Sequence, residues 1–351
     1  MPAPEIDAEL GEVFAPEEEG NARAVAAAMR RNIERAYPPG TRPARRDAHP
    51  KAHGCVRATF RVEDVLPPQL AQGVFVPGKS YAAWIRFSNG DGDPNRADAK
   101  GDSRGMAIKL LGVPGEKLLP AEKDAQTQDF LMITHPVFIV DDAARYLALI
   151  ERSGSQNPLV RALAPATLGL RGALNALATT RATIASPLET RYWSTTAYQL
   201  GTGPGKLAVK YSARPAQPPT ALPPEQPGPG FLREVMARQL AEREFGFDFL
   251  MQPRTSTELS VERTTIEWTE AEAPFHKVAS ITIPRQTFCS PAQDAFGENL
   301  SFTPWHCLPE HRPLGSVNRV RRVVYEEISR ARHSMNGVLP REPMVDESPE
   351  G

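Results

Sequence analysis

Arg321 and Tyr325 stand four residues apart in a segment with helical apolar spacing, so their side chains share one face. A free tyrosine, with a pKa of ~10, is not an anion at neutral pH. A neighbouring guanidinium stabilises the phenolate, and so does a ferric ion that binds it. Arg-x-x-x-Tyr is therefore a sensible way to present an oxygen ligand to haem iron. Taken alone, the spacing more commonly marks a surface Arg beside a half-buried Tyr. A second group is Arg46-Asp47-Ala48-His49-Pro50-Lys51-Ala52-His53-Gly54. Two histidines four apart suit a metal if the segment is helical, but Pro50 and Gly54 argue against a helix. What remains is a histidine ahead of a strand, a place for a general base or for a solvated loop residue. The acidic run at Asp91 and Asp93 lacks EF-hand spacing and reads as a turn. Gly201 to Lys206 is no phosphate loop, because Pro204 removes a backbone donor.

The elements that must position these residues are legible in outline. Asn21 to Tyr37 has helical spacing and follows Glu17, Glu18 and Glu19, whose charge suits a helix start. Pro38-Pro39-Gly40 ends it. Val56–Val62 alternates as a half-buried strand should; Tyr81–Ser88 and Met106–Val113 read as two more. Phe130–Val140 is apolar but broken by Pro136, which marks an edge, a bulge or a bend. Asp141–Arg152 reads as a helix, and 160–184 as one or two short ones. Strands are then expected at Trp193–Leu200, Lys206–Ser212, Thr264–Trp268 and Lys277–Ile283. A helix is expected at Phe231–Glu244 and a last one from Ser316 to about His333. Six to eight strands with inserted and C-terminal helices make an α+β protein on an antiparallel sheet or barrel. The organisation expected is an N-terminal arm and helix (1–40), one domain (41–333) carrying a Pro-rich surface loop (213–230), and a polar, fraying tail (334–351).

Composition removes several classes of function. Lys+Arg 41 against Asp+Glu 42 leaves a net charge of −1, which gives no broad electrostatic case for nucleic acid. No apolar run reaches the ~18 residues of a spanning helix. The acidic start lacks the apolar core of a secretory signal. Cys55, Cys289 and Cys307 are odd in number and without CxxC spacing. They fit a reducing cytoplasmic setting, not a disulfide framework or a cysteine zinc site.

In order along the chain, the segments resemble the haem catalase superfamily, and within it the short catalase-related peroxidases and allene oxide synthase-like proteins. The matching residues are Arg46-x-x-His49-Pro50-Lys51, Arg86-Phe87-Ser88, Ala97-Asp98 and Asp102-Ser103-Arg104-Gly105-Met106-Ala107-Ile108-Lys109. Asp129-Phe130, Pro136-Val137-Phe138, Asn299-Leu300-Ser301-Phe302-Thr303-Pro304 and Arg321-x-x-x-Tyr325 follow. Each is weak alone; the series spans roughly residues 40–333. The resemblance implies a catalase-like β-barrel holding haem b. It makes Tyr325 the iron ligand, Arg321 its charge partner, His49 the distal base and Phe138 a distal wall. Arg46, Arg86 and Arg104 fall near the haem edge. Peroxide and an organic reductant are the implied small-molecule partners, and a homo-oligomer is left open.

Three departures bear on activity. Ala52 stands where the family has Gly, and His53 follows, so a register shift would make His53 the base. Ile133 and Thr134 stand where the family places an Asn. The Thr134 hydroxyl is then the expected group to bond peroxide, with one donor where an amide has two. Ala48 precedes His49 where the allene oxide synthase branch has a threonine. The chain is also shorter than a full catalase, which implies a more open haem and larger peroxides. The reading is a haem peroxidase with weak catalase activity. The alternatives are a fatty-acid hydroperoxide dehydratase or isomerase, and an inactive haem-binding protein.

Overall fold

Period-two alternation builds the core. In the computed structural model, which describes residues 6–347, nine strands make one antiparallel sheet: β1 (Ala52–Val62), β2 (Ser80–Asn89), β3 (Arg104–Leu111), β4 (Thr127–Ile133), β5 (Tyr192–Trp193), β6 (Tyr198–Leu200), β7 (Leu207–Pro215), β8 (Phe245–Pro253) and β9 (His276–Ile283). Neighbours run β4-β3-β2-β1-β9-β8-β7. The short β5 pairs with β4 through Ile133 and Trp193, and with β7 through Tyr192 and Ala213, which closes eight strands into a barrel. Closure leaves no open edge along the ring. β6 pairs with β7 outside it. Alternate residues face inward: Val56, Ala58, Phe60 and Val62 from β1, and Phe245, Phe247, Phe249 and Met251 from β8. Phe249 meets both Phe60 and Phe130 edge-on at 5.0 Å.

His311 lies in this interior, edge-on to Phe75. Its Nε2 accepts from the Val74 amide (3.0 Å), so its Nδ1 carries the proton and faces the Tyr211 hydroxyl at 3.3 Å. Burial holds its pKa down to about 3. The unfolded chain binds a proton below about 6.5 and the folded protein does not. Its contribution to stability is therefore complete above pH 6.5 and is lost as pH falls towards the folded value. A His311→Gln variant, which keeps an acceptor for Val74, should show a shallower acid loss of stability than the wild type. Denaturant titrations between pH 6.5 and 4 should differ in slope by up to ~1.4 kcal/mol per pH unit. Parallel curves would mean that His311 titrates normally.

A helical layer covers one side. α1 (Glu18–Ala36) packs on α7 (Ser316–Asn336) through Val25, Met29 and Ile33 against Val320, Val324 and Ile328. α2 (Ala143–Ser153) joins them, started by Asp142, whose side chain accepts from the Arg145 amide. The start of α7 is fixed by acids: Glu12 accepts from the Gly315 amide and Glu262 from the Ser316 amide. Two otherwise orphaned donors are satisfied and negative charge sits at the helix N-terminus. Buried Arg319 then bonds Glu12, Glu18 and Glu262, locking the arm before α1 onto α7. The remaining helices are α3 (Pro158–Ala162), α4 (Gly169–Arg181), α5 (Phe231–Glu242) and α6 (Pro291–Asn299).

The structure departs from the sequence reading in five places. Trp193–Leu200, expected as one strand, is split into β5 and β6 around Thr195 at φ +60°. β8 and α6 occupy segments where no element was expected. Thr264–Trp268, expected as a strand, is loop. Its polar groups pair with the 138–141 connection: the Thr264 carbonyl accepts from the Phe138 amide and the Thr265 amide donates to Asp141. The tail is not frayed where it is described. Glu342 accepts from Lys109 and Thr127 (both 2.6 Å). Glu342 also joins a cluster: with Glu122 and His306 it brings ligand-type atoms within 4.8 Å of one another, a donor set able to hold a metal ion. The Lys109 ammonium already sits between Glu342 and Asp129, at 2.6 and 2.7 Å, and supplies positive charge there.

Candidate active site

His49 lies in the bend that precedes β1 and has φ +60°, a left-handed backbone that a side chain tolerates at a cost of ~1–2 kcal/mol. The Arg86 guanidinium holds it there, donating to the His49 carbonyl at 2.9 Å. Nδ1 of His49 lies 3.1 Å from Ser88 Oγ on β2. The ring rests on Gly105 of β3, where an added Cβ would fall 2.6 Å from Nδ1. Two neighbouring strands, β2 and β3, thus shape the seat of one imidazole. Burial comes first among the causes that push its pKa down to about 4, followed by the positive field of Arg86, with Arg321 and Arg46 adding to it. The imidazole is neutral at pH 7, the state a proton acceptor needs.

Arg321 also faces α7's own Tyr325, donating to its hydroxyl at 3.3 Å. The guanidinium is anchored from behind by Asn318 (3.1 Å) and Thr196 (3.4 Å). Burial alone would lower the Arg321 pKa, but the phenols of Tyr325 and Tyr198 outweigh it and the pKa is raised. Tyr146 of α2 shares this environment; burial, then the charges of Tyr325 and Asp47, push its own pKa up. Phe138 packs edge-on against Tyr146 at 5.9 Å. Asp47, two residues before His49 in the chain, is lifted to about 6 by burial.

On the other side of Arg86 lies an arginine cluster. Arg46 Nη1 is 3.0 Å from Glu298 Oε1, Arg332 Nη1 is 3.7 Å from the same oxygen and Arg86 Nη2 is 3.8 Å from Oε2. Burial and the proximity of Arg46 push both Arg86 and Arg332 down to about 9. Arg46 Nη1 and Glu298 Oε1 face each other as an ion pair, while Arg86 Nε is buried without a hydrogen-bond partner. Three guanidinium groups against one carboxylate leave unbalanced positive charge and an unused donor. Haem b presents a pair of carboxylate arms, the kind of anion that matches such donors. The residues present therefore fit the group. Arg332 escaped the sequence reading, although its spacing seven from Tyr325 and eleven from Arg321 puts all three on one face of α7.

Other sequence-singled residues lie elsewhere. Arg104 does not join the Arg46, Arg86 and Arg332 cluster on Glu298. Its guanidinium is bound by Asn89, Asp102 and the carbonyls of Asp98 and Lys100. His53 is buried beside Asp98 at 3.9 Å, with burial pushing its pKa down to about 3. Asp98 accepts from Lys51, Asn89 and the Leu232 amide, so Lys51, Asp98 and Arg104 form a structural hub behind the histidine turn. Thr134 accepts from the Arg104 amide at 2.9 Å through its hydroxyl, which leaves the hydroxyl proton to donate. Ile133 pairs with Gly105, and buried His135 Nε2 has no partner.

No family model matches the chain. A curated relative, the catalase-related peroxidase of Mycolicibacterium paratuberculosis (strain ATCC BAA-968 / K-10), is 27% identical over 293 residues, covering 82% of this chain and 88% of its own. Among solved structures, a fungal catalase aligns with a TM-score of 0.64 at 19% identity and catalase A of Saccharomyces cerevisiae with 0.62 at 18%. Each alignment covers 84% of this chain. A bacterial catalase gives 0.62 at 16%, covering 86%. The chain is thus similar in sequence to a catalase-related peroxidase and has the catalase fold. It spans about three fifths of the length of these solved catalases, 62, 64 and 60%. The fold brings the 46–49 turn, β2, β3 and α7 together: Arg86 bonds the His49 carbonyl, Gly105 underlies the His49 ring, and Arg46, Arg86 and Arg332 share Glu298. Among the described residues no helix is long and apolar enough to cross a membrane.

Proposed function

We propose that this chain is a haem-dependent peroxidase that reduces hydrogen peroxide or organic hydroperoxides, with weak catalase activity. The observation that carries the reading is Arg321, which bonds Tyr325 and also acts on the neutral His49 imidazole. The oxygen ligand bonds this guanidinium directly, and its positive field reaches the proton acceptor. Tyr325, Arg46, Arg86 and Arg332 would hold haem b, which would supply the redox chemistry there. His49 accepts the proton from one peroxide oxygen and returns it to the other, which leaves as water or an alcohol. Ser88 and Gly105 keep the ring in line for both transfers. Thr134 provides one hydroxyl donor to peroxide, and Ile133 beside it provides none, which favours peroxidase over fast catalase turnover. Phe138 keeps water from the distal side.

The test is to load the purified chain with haem b and mix it with cumene hydroperoxide and an aromatic electron donor. Oxidised donor with cumyl alcohol is the expected product pair. With a fatty-acid hydroperoxide the expected product is the hydroxy acid. An allene oxide or aldehyde formed without donor would replace this reading with the isomerase. A normal Soret band unchanged by any peroxide would make the chain a haem-binding protein.

A further inference from the structure

α4 is apolar on the side that faces water. Its inner side fits tightly against the Phe138–Ile139 segment. An added Cβ at Gly172 would lie 2.4 Å from the Ile139 carbonyl, and Asn175 donates to the carbonyls of Phe138 and Thr265. Its outer side carries Leu170, Leu174 and Leu177, spaced four and three apart on one stripe and 82, 58 and 43% exposed. Leu159 and Leu163, at and just after α3, are 75 and 58% exposed. A surface helix normally turns charge outward on such a stripe, and a contiguous apolar patch marks a binding surface.

The charge around the patch identifies what covers it. From residue 152 to residue 188 the sequence has no Asp, Glu or Lys but has Arg152, Arg161, Arg171 and Arg181, all exposed. This stretch is strongly cationic in a chain whose net charge is −1. Leucines to enter the acyl boundary, with arginines able to reach phosphate heads, are the pattern of a helix lying in a bilayer interface. We propose that the α3–α4 face docks on an anionic lipid bilayer. Because the inner side of α4 covers Phe138, docking sets that flank of the candidate site against the lipid.

Docking requires neither haem nor turnover, so its test is separate from that of the enzymatic reading. The full chain is sedimented with vesicles of phosphatidylcholine alone and with phosphatidylglycerol added. Binding should rise with the anionic fraction and fall with salt. Leu170→Glu with Leu174→Glu, and separately Arg171→Glu with Arg181→Glu, should each weaken it at least tenfold while the thermal midpoint holds. No sedimentation with anionic vesicles would overturn the proposal, as would binding that both variants retain. So would a wild-type dimer that ignores vesicles and that Leu170→Glu converts to monomer, which would make the face a self-contact.

Discussion

Tyr325→Phe should abolish stable haem binding while leaving the fold intact. The phenol oxygen is the group proposed to meet the iron, and phenylalanine differs from tyrosine by that atom alone. The usual objection is that a buried arginine left without its partner would unfold the region. Here Arg321 keeps Asn318 and Thr196 as acceptors at 3.1 and 3.4 Å, so it does not become an isolated charge. The ring remains packed among the α1, α2 and α7 side chains. Loss of one hydrogen bond should cost ~1 kcal/mol of stability. Haem affinity should fall at least ~100-fold, more than outer-shell substitutions typically cost a bound metal. Titration of haem into both proteins, followed in the Soret region, measures the loss, and thermal unfolding of the haem-free proteins checks the fold. Equal affinity and identical spectra in the two proteins would remove Tyr325 from the site.

Much of the architecture was legible because β1 writes itself as period-two alternation and β2, β3 and β9 are strand-like runs between clear turn residues. β8 carries the same signal in Phe245, Phe247, Phe249 and Met251. The signal was masked because the helical pattern of α5 runs into it and Gly246 blurs the boundary. α6 had its start written as Ser290-Pro291, with Ser290 accepting from the Gln293 amide. The β-branched run at 264–266 misled for the opposite reason. Strand propensity has no force where no neighbouring strand is present, and those residues instead tie down the loop before α2. The site divides similarly. Residues that share one helix face, such as Arg321 and Tyr325, can be read from spacing. The convergence of Arg46, Arg86 and Arg332 on Glu298 cannot, because it joins four separate segments. Nor does the sequence separate working motif residues from supporting ones. Lys51, Asp98 and Arg104 match the family as well as His49 does, yet the structure uses them to bind one another.

His49→Gln should lower kcat/KM for peroxide by ~10²- to 10⁴-fold with little change in haem affinity. Glutamine can keep a contact to Ser88 but cannot take up and return a proton. The loss would therefore fall on turnover, in contrast to Tyr325→Phe. Gly105→Ala reaches the same end without touching the imidazole. Its Cβ would sit 2.6 Å from Nδ1 and 2.8 Å from Cε1, so the ring must leave its seat. The two variants should share a rate defect, and the double variant should be little worse than either, since both remove one function. The pH profile supplies a further check. The acceptor must be neutral, so activity is lost as pH falls through the His49 pKa, which the protein holds down to about 4. Carboxylate arms bound at Arg46 and Arg86 would offset part of the arginine field. Burial is the larger cause and stays, so the acid limb of the holoenzyme should still lie below the ordinary histidine value near 6.5. A limb at 6.5 that persists in His49→Gln would assign it to another group. Full activity in that variant would take the proton transfer away from His49.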